Sequence, residues 1–346
     1  MNYPAGIEGD YLQTKETCLY FDVKGVHHPN DRRICFIRFY PSKNGDRVKN
    51  GIRYKKIYDL EKRYSFLKEF YPQYLFFSKE WDMELQAVKN EDIEHIYSPR
   101  LYFQSLSNKK ELSPIEETSK SLCELFIDEG GVPDDAIGIT GSQMVGLNRK
   151  NSDIDLIIYG TQNSLKFQNS LELIFKAPNK CRMYNKEEYL NHYSWRVGGS
   201  DIPYETFLQT ERRKLHQGKY HGIDFFIRYL KNSKDWKGNY YDYQFQNLGR
   251  ISLKAKIKDS IDSIFTPCTY KIEPLKIISS TTNEQEIFLE GISEVFSYRG
   301  RFCEQAIKDE SVVVYGKLEK VQFKNEQEYL RIVLENQIHD KMLVIT

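Results

Sequence analysis

The stretch of this sequence best equipped for chemistry is Gly138 to Gly160, GITGSQMVGLNRKNSDIDLIIYG. Near its end, Asp153 and Asp155 flank Ile154 at the start of an apolar run. On a β-strand, side chains at i and i+2 share a face, so the two carboxylates project together while Ile154 and Leu156 enter a core. Two carboxylates in one small space repel each other unless cations neutralise them, and hard oxygen ligands at a strand start suit Mg²⁺ rather than Zn²⁺. Gly141 and Ser142 open a helix or turn just after another apolar run. Backbone N–H groups, a hydroxyl and the positive end of a helix dipole there form a phosphate cradle. A metal site and a phosphate site are therefore expected side by side.

The elements that must hold these groups follow from hydrophobic spacing. Ile115, Leu122, Leu125 and Phe126 fit one face of a helix that Gly130-Gly131 ends, and AIGIT (136–140) reads as a short buried strand. DIDLIIYG (153–160) reads as a second strand, and GIDFFIRYL (222–230) as a third that carries Asp224. Further helices are expected over 165–175 and 204–218. The alternation of helix and strand predicts an α/β unit.

Gly-Ser, a short helix and then a hydrophobic-flanked Asp-x-Asp resemble the signature of the DNA polymerase beta nucleotidyltransferase superfamily. Gly141, Ser142, Gly146, Ser152, Asp153 and Asp155 fall where that motif wants them, whereas Val145 stands where many minimal members carry Arg. GDYLQTKE, FDVKG, HHPNDRR and YGKLEKV are in turn similar to an uncharacterised archaeal group of predicted nucleotidyltransferases. The resemblance implies two-metal transfer of a nucleoside monophosphate from a nucleoside triphosphate such as ATP, with release of pyrophosphate. It implies that Asp153 and Asp155 hold Mg²⁺, or Mn²⁺, on the triphosphate. Asp224, the best match by context to the third carboxylate, helps bind the second ion and activates the acceptor hydroxyl. Gly141, Ser142 and Ser152 are nucleotide-binding positions.

Around this centre, 1–112 carries strand-like runs at 18–23, 34–40 and 53–60, with helices expected near 60–70 and 92–106, the second interrupted or ended around Ser98-Pro99. Beyond Tyr240, RISLKAKIK alternates strictly, and VVVYGKLEKVQF, a turn at Asn325 to Gln327 and EYLRIVL read as a hairpin. The expected fold is α+β: a central nucleotidyltransferase α/β domain with a mixed sheet over 113–235, flanked by a β-rich N-terminal domain, 1–112, and a β-rich C-terminal domain, 240–346.

Two basic features outside the motif have alternative readings. Arg212, Arg213 and Lys214, late on the predicted 204–218 helix, reach a triphosphate or an RNA backbone, or form a solvated helix end favoured by the dipole. Between Asp31 and Arg63, Arg32, Arg33, Phe36, Arg38, Tyr40, Arg47, Arg53, Tyr54, Lys55 and Lys56 mix cations with rings. They fit single-stranded nucleic acid, or a packed sheet with a wet basic face.

Composition bounds what remains. The 346 residues are 40% hydrophobic and 14% aromatic, which excludes wholesale disorder. With 50 Lys and Arg against 49 Asp and Glu, the net charge is 50 − 49 = +1, so attraction to nucleic acid has to be local. The six cysteines are scattered singly, without zinc-site spacing, and read as reduced core residues. With no signal peptide and no apolar run of membrane-spanning length, a cytoplasmic protein without a membrane partner is expected. The acceptor stays open among an RNA end, a protein hydroxyl and a small molecule. The competing class is a non-catalytic nucleotide- or RNA-binding module that keeps the fold.

Overall fold

The computed structural model describes residues 3–178, 180–197, 199–282, 288–326 and 328–345. Contacts group the chain into two compact units. One comprises Met1–Ser78, Met83–Arg182 and Gln217–Tyr240, the other Lys79–Asp82, Met183–His216 and Tyr241–Thr346. The sequence suggests three consecutive parts. By contact, 1–78 and 217–240 fall in one unit and 183–216 in the other.

The first unit opens with β1 (Tyr11–Thr14), β2 (Tyr20–Val23), β3 (Arg32–Pro41), β4 (Arg47–Lys49) and β5 (Ile52–Lys56). Helix α1 (Leu60–Phe70) follows, then β6 (Leu75–Ser78), β7 (Met83–Lys89) and β8 (Ile93–Tyr97). Asp59 caps α1 by accepting from the Lys62 N–H. The sheet runs β4-β5-β3-β2-β1-β8, with β7 and β6 added through β3. One face buries Leu12, Phe21, Val23, Cys35 and Ile37 against Leu67 of α1 and Tyr74. The other face sends Tyr11, Tyr20, Phe39 and Tyr54 into a second cluster with Met144, Val145 and Leu147. Those last three residues lie between Gly141-Ser142 and the Asp-x-Asp, so the N-terminal sheet packs directly on that segment.

The second sheet of this unit is preceded by α2 (Pro99–Leu106) and α3 (Pro114–Asp128), the latter started by a Ser113/Glu116 capping box. Its strands are β9 (Ile137–Thr140), β10 (Ile154–Tyr159), β11 (Cys181–Arg182), β12 (Gln217–Tyr220) and β13 (Ile223–Leu230). The short α4 (Gly141–Met144) links β9 to the β10 loop, and α5 (Thr161–Lys176) follows β10. Strand order is β11-β12-β13-β10-β9, with β10 and β13 parallel and the other pairs antiparallel, a mixed sheet as expected. On one face Phe225 meets Phe126 of α3, which meets Phe167 of α5 at 4.8 Å. On the other, Ile157 and Tyr159 pack with Tyr3, Ile7 and Leu230. Gly9 presses on that face so closely that a Cβ there would lie 1.9 Å from Ile157 Cδ1, and its φ of +89° suits glycine.

The second unit contains α6 (Lys186–Val197), α7 (Tyr204–Glu211) and the strands β14 (Tyr243–Asp259), β15 (Cys268–Ser280), β16 (Ile292–Ser297), β17 (Ser311–Phe323), β18 (Tyr329–Val333) and β19 (Lys341–Ile345). Pairing runs β14-β15-β16-β18-β17 and returns to β14, closing a five-stranded barrel to which β19 adds through β17. Strands β16 and β18 are parallel; every other pairing is antiparallel. The alternation in RISLKAKIK places Ile251, Leu253, Ala255 and Ile257 in the barrel core. The 317–333 hairpin is present, although Gln327 of its expected turn lies outside the described residues.

Two expected helices are corrected. The 92–106 stretch is strand β8 followed by α2, because Pro99 starts a helix and Tyr11–Thr14 pairs with Ile93–Tyr97. The 204–218 helix stops at Glu211, and Gln217–Tyr220 pairs along β13 instead. All six cysteines are free thiols, five of them buried.

Val145 is fully buried in the aromatic cluster under the N-terminal sheet, which accounts for an apolar residue at this position. Val145→Arg should therefore destabilise the protein by roughly 3 kcal/mol or more, measured by denaturant unfolding. An unchanged midpoint would show that the sheet does not cover α4.

Candidate active site

Asp153 and Asp155 stand where β10 begins, with Asp153 exposed and Asp155 half-buried. Asp155 pairs with Thr140 of β9, the residue just before Gly141, so strand pairing brings the cradle to the carboxylates. Gly141 has φ +77°, and a Cβ on it would lie 2.3 Å from Asp155 Oδ2. Only glycine lets the backbone come this near the carboxylate. Ser142 Oγ lies 3.5 Å from Ser152 Oγ, which also accepts from the Arg149 N–H at 2.9 Å. The loop between cradle and carboxylates is thus tied at both ends, and these five signature positions form one locus.

Asp224 lies on β13, the strand that pairs in parallel with β10. The parallel register sets Ile154 opposite Phe225 and Asp155 opposite Phe226, so one step back in that register lies Asp224 beside Asp153. Paired positions share a face. The Asp224 carboxylate, half-exposed, accepts from Lys219 Nζ at 3.0 Å. Among the described residues no three His, Cys, Asp or Glu side chains are gathered as a ready metal cluster. Asp153 and Asp155 offer hard carboxylate oxygens side by side, a donor set that fits Mg²⁺.

The cations around the pair come largely from the N-terminal sheet. Between β2 and β3 the register skips from Tyr20↔Phe39 to Phe21↔Ile37, leaving Arg38 as the extra residue of a bulge. A bulge re-aims a side chain. Here Arg38 lies 3.5 Å from Tyr11 Oη and 3.7 Å from Asp22. Lys56 pairs with Phe39 on the face that covers α4. Arg228 of β13 bonds Glu8 at 2.6 Å and lies 3.9 Å from Asp22. Arg47 donates to the Leu147 carbonyl, and Arg149 bonds Asp46 at 2.9 Å, both pinning the signature loop to this sheet.

This setting moves the titrations. Burial, and then the neighbouring Asp153 charge, raise the Asp155 carboxyl from its ordinary 3.8 to about 6, against the pull of Lys56, Arg228 and Arg38. Burial and the adjacent Arg38 lower Lys56 to about 8, against Asp153 and Asp155. Burial works to raise Asp22, but Lys24, Arg228 and Arg38 outweigh it and take the carboxyl down to about 2. Arg38 and Arg228 therefore sit in a lattice between two acidic centres, Asp22 and Asp155.

The remaining predicted positions belong to the second unit. Arg212 is exposed just past the end of α7. Arg213 makes a two-pronged pair with Glu310 at 2.6 and 2.8 Å. Lys214 is buried, 2.9 Å from Glu211, and donates to the Arg301 carbonyl at 2.6 Å. The charges of Arg213 and Lys214 are thus satisfied inside that unit. Sequence reasoning named Arg38 and Lys56 in a basic, aromatic stretch but did not connect them with the carboxylates. The two-residue strand period that puts Lys56 on the face of Tyr54 is the available signal; the Arg38 bulge leaves none.

Residues 115–201 match the family described as nucleotidyltransferase domain. That stretch of the chain is similar to nucleotidyltransferase domains. The match includes Gly141, Ser142, Ser152, Asp153 and Asp155 and ends before Asp224. Over 334 residues the chain is also 28% identical to the uncharacterized protein MJ1086 of Methanocaldococcus jannaschii, covering 94% of each. The similarity to an archaeal relative thus extends well beyond the nucleotidyltransferase domain. No solved structure matches. Among the described residues, no helix is long and apolar enough to cross a membrane.

Because its folded value lies above its unfolded one, the Asp155 carboxyl favours the folded state at low pH, and this contribution is lost as pH rises from about 4 to 6. Removing the like charge in Asp153→Asn should lower the Asp155 midpoint and raise the melting temperature of the metal-free protein at pH 8 more than at pH 4.5. Carboxyl NMR titration and thermal melts at the two pH values check this; an unmoved midpoint would mean that the two carboxylates do not interact.

Proposed function

We propose that the chain moves a nucleoside monophosphate from a nucleoside triphosphate to an acceptor hydroxyl. The observation that carries this reading is the seating of Asp155 against the bare backbone of Gly141, which adjoins a paired-carboxylate site and a phosphate cradle with no side chain between them. The acceptor oxygen bonds to the α-phosphorus, the bond from that phosphorus to the bridging oxygen breaks, and pyrophosphate leaves. Asp153 and Asp155 would hold Mg²⁺, and Asp224, which pairs with Lys219, would help hold a second ion. When bound, two Mg²⁺ or Mn²⁺ ions neutralise the phosphates and acidify the acceptor hydroxyl. The N–H groups at Gly141 and Ser142, with the Ser142 hydroxyl, orient the outer phosphates, Ser152 holds Ser142 in place, and Asp224 accepts the acceptor proton. The contribution of the protein is positioning and charge.

For the acceptor, the barrel favours RNA. Its circuit β14-β15-β16-β18-β17-β14, with only the third and fifth strands parallel, is the topology of the five-stranded oligonucleotide-binding barrels. This is an argument from fold, and one local feature supports it. Lys254 and Lys276 stand directly opposite each other, both exposed and neither ion-paired within the described residues. Opposed like charges cost stability, and a polyanion relieves that cost.

Wild-type and Asp153→Asn/Asp155→Asn protein should be incubated with each α-labelled nucleoside triphosphate, Mg²⁺ or Mn²⁺, and total RNA, protein lysate or no acceptor. Label is expected in RNA with wild type only. Label in protein would replace the acceptor assignment. Mg²⁺-dependent triphosphate binding without transfer to any acceptor would favour a binding module.

A further inference from the structure

We infer that Lys56 of the N-terminal sheet is a substrate-binding residue of the active site, holding the outer phosphates of the nucleoside triphosphate. The inference rests on the nucleotidyltransferase reading above and assigns part of that site to a strand outside the matched domain.

Strand parity comes first. Tyr54 and Lys56 lie on one face of β5, and Tyr54 is buried with Met144, Val145 and Leu147, so Lys56 is on the face that covers α4, while Arg53 and Lys55 are on the opposite one. Pairing agrees, because Lys56 stands opposite Phe39, a member of the same cluster. Charge comes second. Lys56 is close enough to Asp153 and Asp155 for each to act on its ammonium group.

Availability decides among the cations near the pair. Arg47 is bound to the Leu147 carbonyl, Lys49 to Tyr97 Oη at 2.9 Å, Arg149 to Asp46, Arg228 to Glu8 and Lys219 to Asp224. Arg38 is held by Asp22 and Tyr11 and acts as a positioning residue. Lys56 makes no hydrogen bond or ion pair within the described residues; it rests 4.8 Å from the centre of the Tyr58 ring and 5.9 Å from that of Phe39. An ammonium group with three free donors, half-buried beside a metal-type carboxylate pair and a phosphate cradle, meets the requirement of a polyanionic substrate. Val145, next to the cradle, is apolar and buried, and the N-terminal sheet that buries it supplies the cation.

The test uses the full chain with Lys56→Gln, Lys56→Arg and, on the opposite face of β5, Lys55→Gln, each confirmed folded by its melting temperature. Equilibrium binding of the four nucleoside triphosphates and of the matching monophosphates is measured with Mg²⁺. Loss of one charge-assisted contact predicts roughly 10- to 100-fold weaker triphosphate binding in Lys56→Gln, with monophosphate binding little changed. Lys56→Arg should recover most of the affinity, and Lys55→Gln should match wild type. A triphosphate-to-monophosphate affinity ratio unaltered in Lys56→Gln would overturn the assignment while leaving the nucleotidyltransferase reading standing. Wild-type protein that binds no triphosphate would overturn both.

Discussion

Repulsion between Asp153 and Asp155 is the constraint around which the first unit is organised. Two carboxylates at the start of one strand, one of them half-buried, are held together at a cost that something nearby has to offset. Gly141 brings backbone N–H groups to one side, and Lys56, Arg38 and Arg228 bring positive charge to the other. Arg38 and Arg228 are in turn fixed by Asp22 and Glu8, residues of the N-terminal segment. The network alternates in sign outward from Asp155, so neutralising any member propagates to its neighbours.

This explains why the N-terminal sheet has one apolar face and one of rings and charges. The apolar face meets α1, as in any half-buried sheet. The other covers α4, where Tyr11, Tyr20, Phe39 and Tyr54 bury large rings against Met144, Val145 and Leu147. Gly9, pressed on Ile157 while its carbonyl accepts from Thr140 Oγ1 at 2.5 Å, locks the N-terminal loop against the strand that bears the carboxylates. Such close packing leaves few ways to shift one sheet without moving the other.

The parts of the site that a reader of the sequence could find are those encoded locally. Asp153 and Asp155 obey the two-residue strand period, and Gly141-Ser142 sits at a strand-to-helix junction. The apolar residues flanking Asp224 single it out as a candidate. What stayed hidden depends on non-local pairing. Lys56 becomes a neighbour of the carboxylates through the sheet, and Arg38 through a bulge whose register is set by Tyr20 and Phe21. The basic run at Arg212 looked as favourable as either, yet Arg213 and Lys214 find Glu310 and Glu211, partners that sequence order does not reveal. The helix expected across 92–106 failed for a similar reason, since a sheet neighbour, β1, claims its first half.

The parallel pairing of β10 with β13 carries a consequence for how the chain is made. Between these neighbours the ribosome must deliver α5, β11, the whole 183–216 segment of the other unit, and β12. Until β13 emerges, β10 has one exposed edge and the carboxylate face lacks Arg228, so the earliest product is an unfinished sheet with concentrated negative charge. Non-local closure of this kind is slow. The N-terminal strands, synthesised first and bearing Arg38 and Lys56, are already available to shield that charge while the nascent chain waits for its last strand.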